Sequence, residues 1–92
     1  MIRKMSDWRI QSTDTFLKNF KKNKNNAELL NQLDKVIIRF KENPHFGKQL
    51  SGPLKGRCST RLLKNFRLIF SIDEEEKCVY LEALDHRKDI YD

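Results

Sequence analysis

The chain has 92 residues, enough for one domain and one core, and folding at this size buries only roughly 60–65% of the surface the unfolded chain exposes. Hydrophobic residues make up 38% and charged residues 35%, with one Trp, two Tyr and six Phe to seed a core, which argues against intrinsic disorder, collagen, disulfide-rich scaffolds and repeat arrays. Nineteen Lys and Arg against thirteen Asp and Glu leave a net charge of +6, so the expected partners are polyanions, either nucleic acid or an acidic protein.

No apolar run approaches the ~18–20 residues that span a bilayer, and the start, Met1 to Trp8, carries no signal-peptide-like apolar stretch. A single cytoplasmic domain over 1–92 is expected, with 1–7 as a loosely ordered extension and no membrane association. Trp8-Arg9-Ile10-Gln11-Ser12 alternates apolar and polar, which predicts a short strand. Ser12 or Thr13 caps the helix that follows, with Asp14 in its first turn. Phe16, Leu17 and Phe20 fall on one helical face, while Lys18, Lys21 and Lys22 lie elsewhere. Asn23-Lys24-Asn25-Asn26 breaks that helix, and Asn25 or Asn26 caps the next. Leu29, Leu30, Leu33, Val36, Ile37 and Phe40 keep helical spacing over three turns. Glu42-Asn43-Pro44 ends this second helix, because the residue before proline avoids the helical region. The short link predicts an antiparallel helical hairpin.

From His45 to Gly56 the chain holds all three glycines and Pro53, and is read as irregular. Arg57 to Leu63 is a strand. Lys64-Asn65 is the turn, since Asn tolerates a left-handed backbone. Phe66 to Ile72 is the strongest strand, Asp73 to Lys77 a polar loop, and Cys78 to Leu84 the last strand. The order β-α-α-β-β-β predicts an α+β fold, an antiparallel sheet with the helical hairpin packed on one face. The Phe66–Ile72 strand then separates Cys58 from Cys78 by two strand spacings, ~9–10 Å. That exceeds the ~7 Å reach of a disulfide, so two free thiols are expected. The cysteines have no metal-ligand spacing, and His45 and His86 are isolated from them. No metal or cofactor is expected.

Charge is concentrated in one stretch. Lys48, Lys55, Arg57, Arg61, Lys64 and Arg67 come without an intervening acid, and Asp73-Glu74-Glu75-Glu76 follow. On the central strand Phe66, Leu68, Phe70 and Ile72 share one face, and Arg67, Ile69 and Ser71 the other. Helices should cover the apolar face, leaving Arg67 on the open one with Arg61 as a candidate neighbour. Two guanidiniums there can clamp a phosphate bidentately. Any single basic residue more often just covers surface; the one-sign stretch favours function for the group. A second cluster closes the chain: Asp85-His86-Arg87-Lys88-Asp89-Ile90-Tyr91. A histidine side chain can carry a proton, which makes His86 a candidate for proton transfer. The alternative is a solvated tail for Asp85 to Lys88 and a core anchor for Ile90 and Tyr91. His45, beside Pro44, is read as structural.

These residues resemble the RelE/ParE superfamily of toxins from toxin–antitoxin pairs. The motifs occur in family order: Pro53-Leu54-Lys55-Gly56, then Arg61, then Phe66-Arg67-Leu68-Ile69-Phe70, then His86-Arg87-Lys88-Asp89-Ile90-Tyr91. The likeness runs over nearly the whole chain from about Trp8, and its ending resembles the RelE side. It departs at Leu63-Lys64-Asn65, one residue longer than the usual turn, and at Phe66 and Phe70, where tyrosines are commoner. The resemblance implies a ribosome-dependent endoribonuclease acting on mRNA, through metal-independent attack of the RNA 2′-OH on its adjacent phosphate. The catalytic set it implies is Arg61, Arg67, His86, Arg87 and Tyr91, with Lys48, Lys55, Arg57, Lys64 and Lys88 binding RNA. Some relatives use a catalytic Glu for which this chain offers no evident equivalent. The resemblance also implies a cognate antitoxin as partner, and DNA contact only through it. Two alternatives stay open: a ParE-like inhibitor of DNA gyrase, and an inactive basic RNA-binding relative.

Overall fold

The computed structural model describes residues 8–52 and 55–86. Arg9–Ser12 is strand β1, followed by helices α1 (Asp14–Lys22) and α2 (Ala27–Glu42). Strands β2 (Lys48–Gln49), β3 (Cys58–Leu62), β4 (Phe66–Asp73) and β5 (Cys78–His86) complete the order. Each helix begins at one of the expected caps. The Thr13 hydroxyl accepts from the Phe16 N–H at 3.1 Å, and the Asn26 side-chain oxygen accepts from the Leu29 N–H at 3.0 Å, satisfying donors that the first turn leaves without helical partners. Thr13 Oγ1 also reaches the Glu82 carbonyl at 2.9 Å, which ties the start of α1 to β5.

The five strands form one sheet in the order β1-β5-β4-β3-β2. β3, β4 and β5 make the expected antiparallel meander. Two features differ from expectation. β1 pairs with β5 in parallel, Ile10 opposite Val79, because the helical hairpin carries the chain away before β5 returns along β1 in the same direction. The segment after Pro44 is not wholly irregular: Lys48 and Gln49 pair with Ser59 and Cys58 as β2, a strand too short to show a period.

Phe66, Leu68 and Phe70 face the helices and pack against Phe16 of α1 and Leu29, Leu33, Val36 and Phe40 of α2. On β5 the register slips between Ile69/Ala83 and Phe70/Leu81, leaving Glu82 as the extra residue of a bulge. Leu81 and Leu84 are therefore both buried, although they are three residues apart and unbroken alternation would put them on opposite faces.

The β3–β4 turn corrects another expectation. Its left-handed residue is Leu63, with φ +55°, rather than Asn65. A leucine rarely adopts this conformation; here its side chain packs against the core, which offsets the backbone cost. Cys58 and Cys78 are free thiols on either side of β4. Burial pushes the Cys58 thiol above its ordinary pKa.

Candidate functional site

β3 and β4 align Arg61 directly opposite Arg67, and β4 and β5 align Arg67 directly opposite Asp85. Three charged residues thus form a row across three strands, on the face away from the helices. Like charges opposed across a ladder repel. Asp85 offsets this, its Oδ2 lying 3.8 Å from Arg67 Nη2. The Arg67 Nε is buried and, among the described residues, makes no hydrogen bond, so the guanidinium keeps bonding capacity.

Lys48 of β2 sits opposite Ser59, two residues along β3 from Arg61 and on the same face. Lys48, Arg61 and Arg67 together line a concavity of about 350 Å³, walled by Phe46, Gly47, Ser59 and Thr60. Phe46 is fixed there by stacking on Phe40, centroids 5.2 Å apart, with the Arg39 guanidinium 4.0 Å over its ring. Gly47 is required by close approach. A Cβ at that position would lie 2.6 Å from Phe70 Cζ and 2.9 Å from the Ser59 carbonyl oxygen. The same face of the sheet carries Ser71, whose hydroxyl donates to Glu82 Oε2 at 2.7 Å. Chemically, this is a cationic hollow with a carboxylate beside it, a charge arrangement that suits a phosphodiester.

The expected catalytic residues do not all meet here. His86 is the register partner of Phe66, and the two rings stack 4.5 Å apart at 14°. Phe66 faces the helices, so His86 lies on the side opposite Arg67, although Asp85 and His86 are neighbours in sequence. The bulge at Glu82 is the reason. Unbroken alternation from Val79 would have placed His86 with Arg67; the extra residue reverses the parity and brings Asp85 there instead. His86 lines a second hollow of about 580 Å³ with Asn23, Asn26, Glu28, Leu63, Lys64, Asn65 and Phe66.

The expected RNA-binding residues are likewise dispersed. Lys48 joins the arginines, Lys64 joins His86, and Arg57 lies at the far end of the sheet, in a hollow of about 210 Å³ with His45, Cys58 and Glu74. Lys55 is exposed in the turn before β3. In the third hollow His45 Nε2 is 3.0 Å from Glu74 Oε2, and its ring meets Trp8 edge-on at 5.7 Å. Arg87, Lys88 and Tyr91 lie outside the described residues, as do Pro53 and Leu54 and the extension 1–7. Among the described residues, no group of three His, Cys, Asp or Glu is placed to hold a metal ion. Sequence reasoning missed Asp85 as the partner of Arg67, and missed the Phe46-Gly47 wall, for which a glycine beside an aromatic residue was the only signal.

No family model matches the chain. An uncharacterized protein of Methanosarcina mazei is 42% identical over 77 residues, covering 83% of this chain and 85% of that protein. A protein of Methanocaldococcus jannaschii named "Putative toxin RelE4" is 32% identical over 71 residues, covering 77% and 76%. Among solved structures, the RelBE2 toxin–antitoxin complex of Mycobacterium tuberculosis matches with TM-score 0.63 and 26% identity, over 94% of this chain and 98% of the matched one. A YoeB/ParE toxin of Agrobacterium tumefaciens shares the fold with TM-score 0.76 at 14% identity, over 86% and 98%.

Proposed function

This chain belongs to the RelE/ParE superfamily of toxins of toxin–antitoxin systems, and on that premise we propose that it is a ribosome-dependent endoribonuclease that cuts mRNA. The observation that carries this reading is the direct Arg61–Arg67 pair on the helix-free face, with Lys48 in the same hollow.

The reaction is attack of an RNA 2′-oxygen on the adjacent phosphorus with loss of the 5′-oxygen. It leaves a 2′,3′-cyclic phosphate and a 5′-hydroxyl, and it selects RNA because DNA lacks the attacking group. Negative charge grows on the phosphorane oxygens, where Arg67 and Arg61 supply fixed cations. Lys48 holds a neighbouring phosphate. The 2′-OH proton needs an acceptor and the leaving oxygen a donor. Asp85, beside Arg67 on that face, takes the 2′-OH proton, and a solvent water gives one to the leaving 5′-oxygen; His86 lies on the other face. A cognate antitoxin completes the proposal. The net charge of +6 favours an acidic chain that covers the cationic hollow and so blocks RNA.

The test is primer extension on an mRNA in a cell-free translation reaction, with and without the purified protein. New ends at ribosome-occupied codons, absent with Arg67→Ala, are the expected result. Intact mRNA on actively translating ribosomes would overturn the nuclease reading; a DNA supercoiling assay would then decide whether gyrase is the target.

A further inference from the structure

The hollow around His86 has no part in the clamp on the opposite face, yet it is the larger of the two, about 580 Å³ against 350 Å³. It lies at the end of the sheet, between the α1–α2 link and the β3–β4 turn. We infer that it is a second binding site, one that takes an unpaired purine base of single-stranded RNA.

Three observations carry this. The first is a ready stacking surface. Phe66 is buried and parallel to His86, which is exposed, so the inner ring holds the outer one flat, and among the described residues no second ring stacks on it. Unpaired bases stack on such rings. The second is hydrogen-bonding capacity of both signs. The Asn23 amide nitrogen donates to the Asn19 carbonyl at 2.8 Å, and its oxygen stays available as an acceptor. Asn26 spends its oxygen on the Leu29 N–H and keeps its two amide hydrogens. Among the described residues, no hydrogen bond or ion pair engages the side chains of Glu28, Lys64 or Asn65. Donors and acceptors around a flat ring suit a base edge, and Lys64 suits its phosphate. The third is the turn. Leu63 at φ +55° places Lys64 and Asn65 at the rim, in a conformation that leucine adopts only under constraint from its surroundings.

The room and the stacking surface favour a two-ring base over a single ring. The ligand class rests on the RNA-directed reading above, and the site deepens it. Arg67 and Asp85 project from one side of the sheet, Phe66 and His86 from the other, at adjacent register positions. A single strand bent around this end of the sheet would put a phosphate in the clamp and a nearby base against His86. That base, read from behind the sheet, would set sequence preference.

The experiment is an NMR titration of the full chain with AMP, GMP, UMP and inorganic phosphate, following the His86 ring protons, assigned by their loss in His86→Ala. Saturable upfield shifts with AMP or GMP are expected, with inorganic phosphate leaving the signals in place. Shifts reproduced by phosphate alone, or by UMP with equal affinity, would overturn the inference. His86→Phe keeps the stack and removes the proton; purine affinity should stay within ~3-fold of the parent, while His86→Ala loses ~10-fold or more. Equal losses in both variants would sink the stacking role. Asn65→Ala, on the exposed turn, should weaken purine binding without changing the melting temperature. The titration needs no cleavage, so an inactive protein that still binds AMP would sink the nuclease reading alone. Cleavage with no purine binding would sink only this one.

Discussion

Arg67 has Asp85 opposite it on β5 and Arg61 opposite it on β3. Its Asp85 contact, at 3.8 Å with the carboxylate 39% exposed, contributes at most about 1 kcal/mol to stability. Asp85→Asn should lower cleavage on the proposed mechanism, because it strips a charge and a proton acceptor from beside the clamp. Full cleavage by this variant would contradict the role. Arg67→Ala should lower the cleavage rate by about 10²–10³, the scale for removing one fixed donor to a developing oxyanion. Arg67→Lys should recover little of it, since an ammonium cannot grip two phosphate oxygens in a plane; single-turnover rates on ribosome-bound mRNA measure both. Period-two alternation was enough to put Arg67 on the face away from Phe66, Leu68 and Phe70. That Arg61 faces it directly was not legible, because register depends on the turn, and the turn places its left-handed residue at Leu63 rather than at Asn65.

At the scale of the element, legibility followed signal length. α2 could be read from six apolar positions, an asparagine cap and a terminating proline, and it starts and stops where those residues dictate. β2 could not, because two residues carry no period. The bulge at Glu82 could not either: nothing in Leu81-Glu82-Ala83-Leu84 announces an unpaired residue, and its parity decides which side His86 occupies. Gly47 belongs with these hidden determinants. Gly47→Ala pushes a methyl against Phe70 and the Ser59 carbonyl. The backbone atom cannot swing away, so a loss of about 1–3 kcal/mol is expected from urea denaturation; an unchanged midpoint would mean that the loop moves freely. Thr13→Ala removes the cap of α1 and the hydroxyl bond to β5 together, and should cost about 1–2 kcal/mol. Thr13→Ser should restore most of it.

Over the whole molecule, the proposed function assigns the net charge of +6 to long-range attraction of RNA and the three cations of one hollow to the contact. With Lys48, Arg61 and Arg67 each meeting a phosphate, the logarithm of the RNA affinity should fall against log salt with a slope of about −2. Arg61→Ala should flatten that slope by about 0.7; filter binding between low and moderate salt measures both, and an unchanged slope would place Arg61 outside the contact. The topology has a consequence in time as well. Among the described strands β1 is made before all the others and β5 after them, yet they lie side by side, and β5 also carries the Asp85 that completes the charged row. A growing chain cannot close this sheet until β5 has left the exit tunnel. The order of synthesis thus acts as a delay: the arginines of β3 and β4 are made first, and the charged row is completed only when β5 joins them.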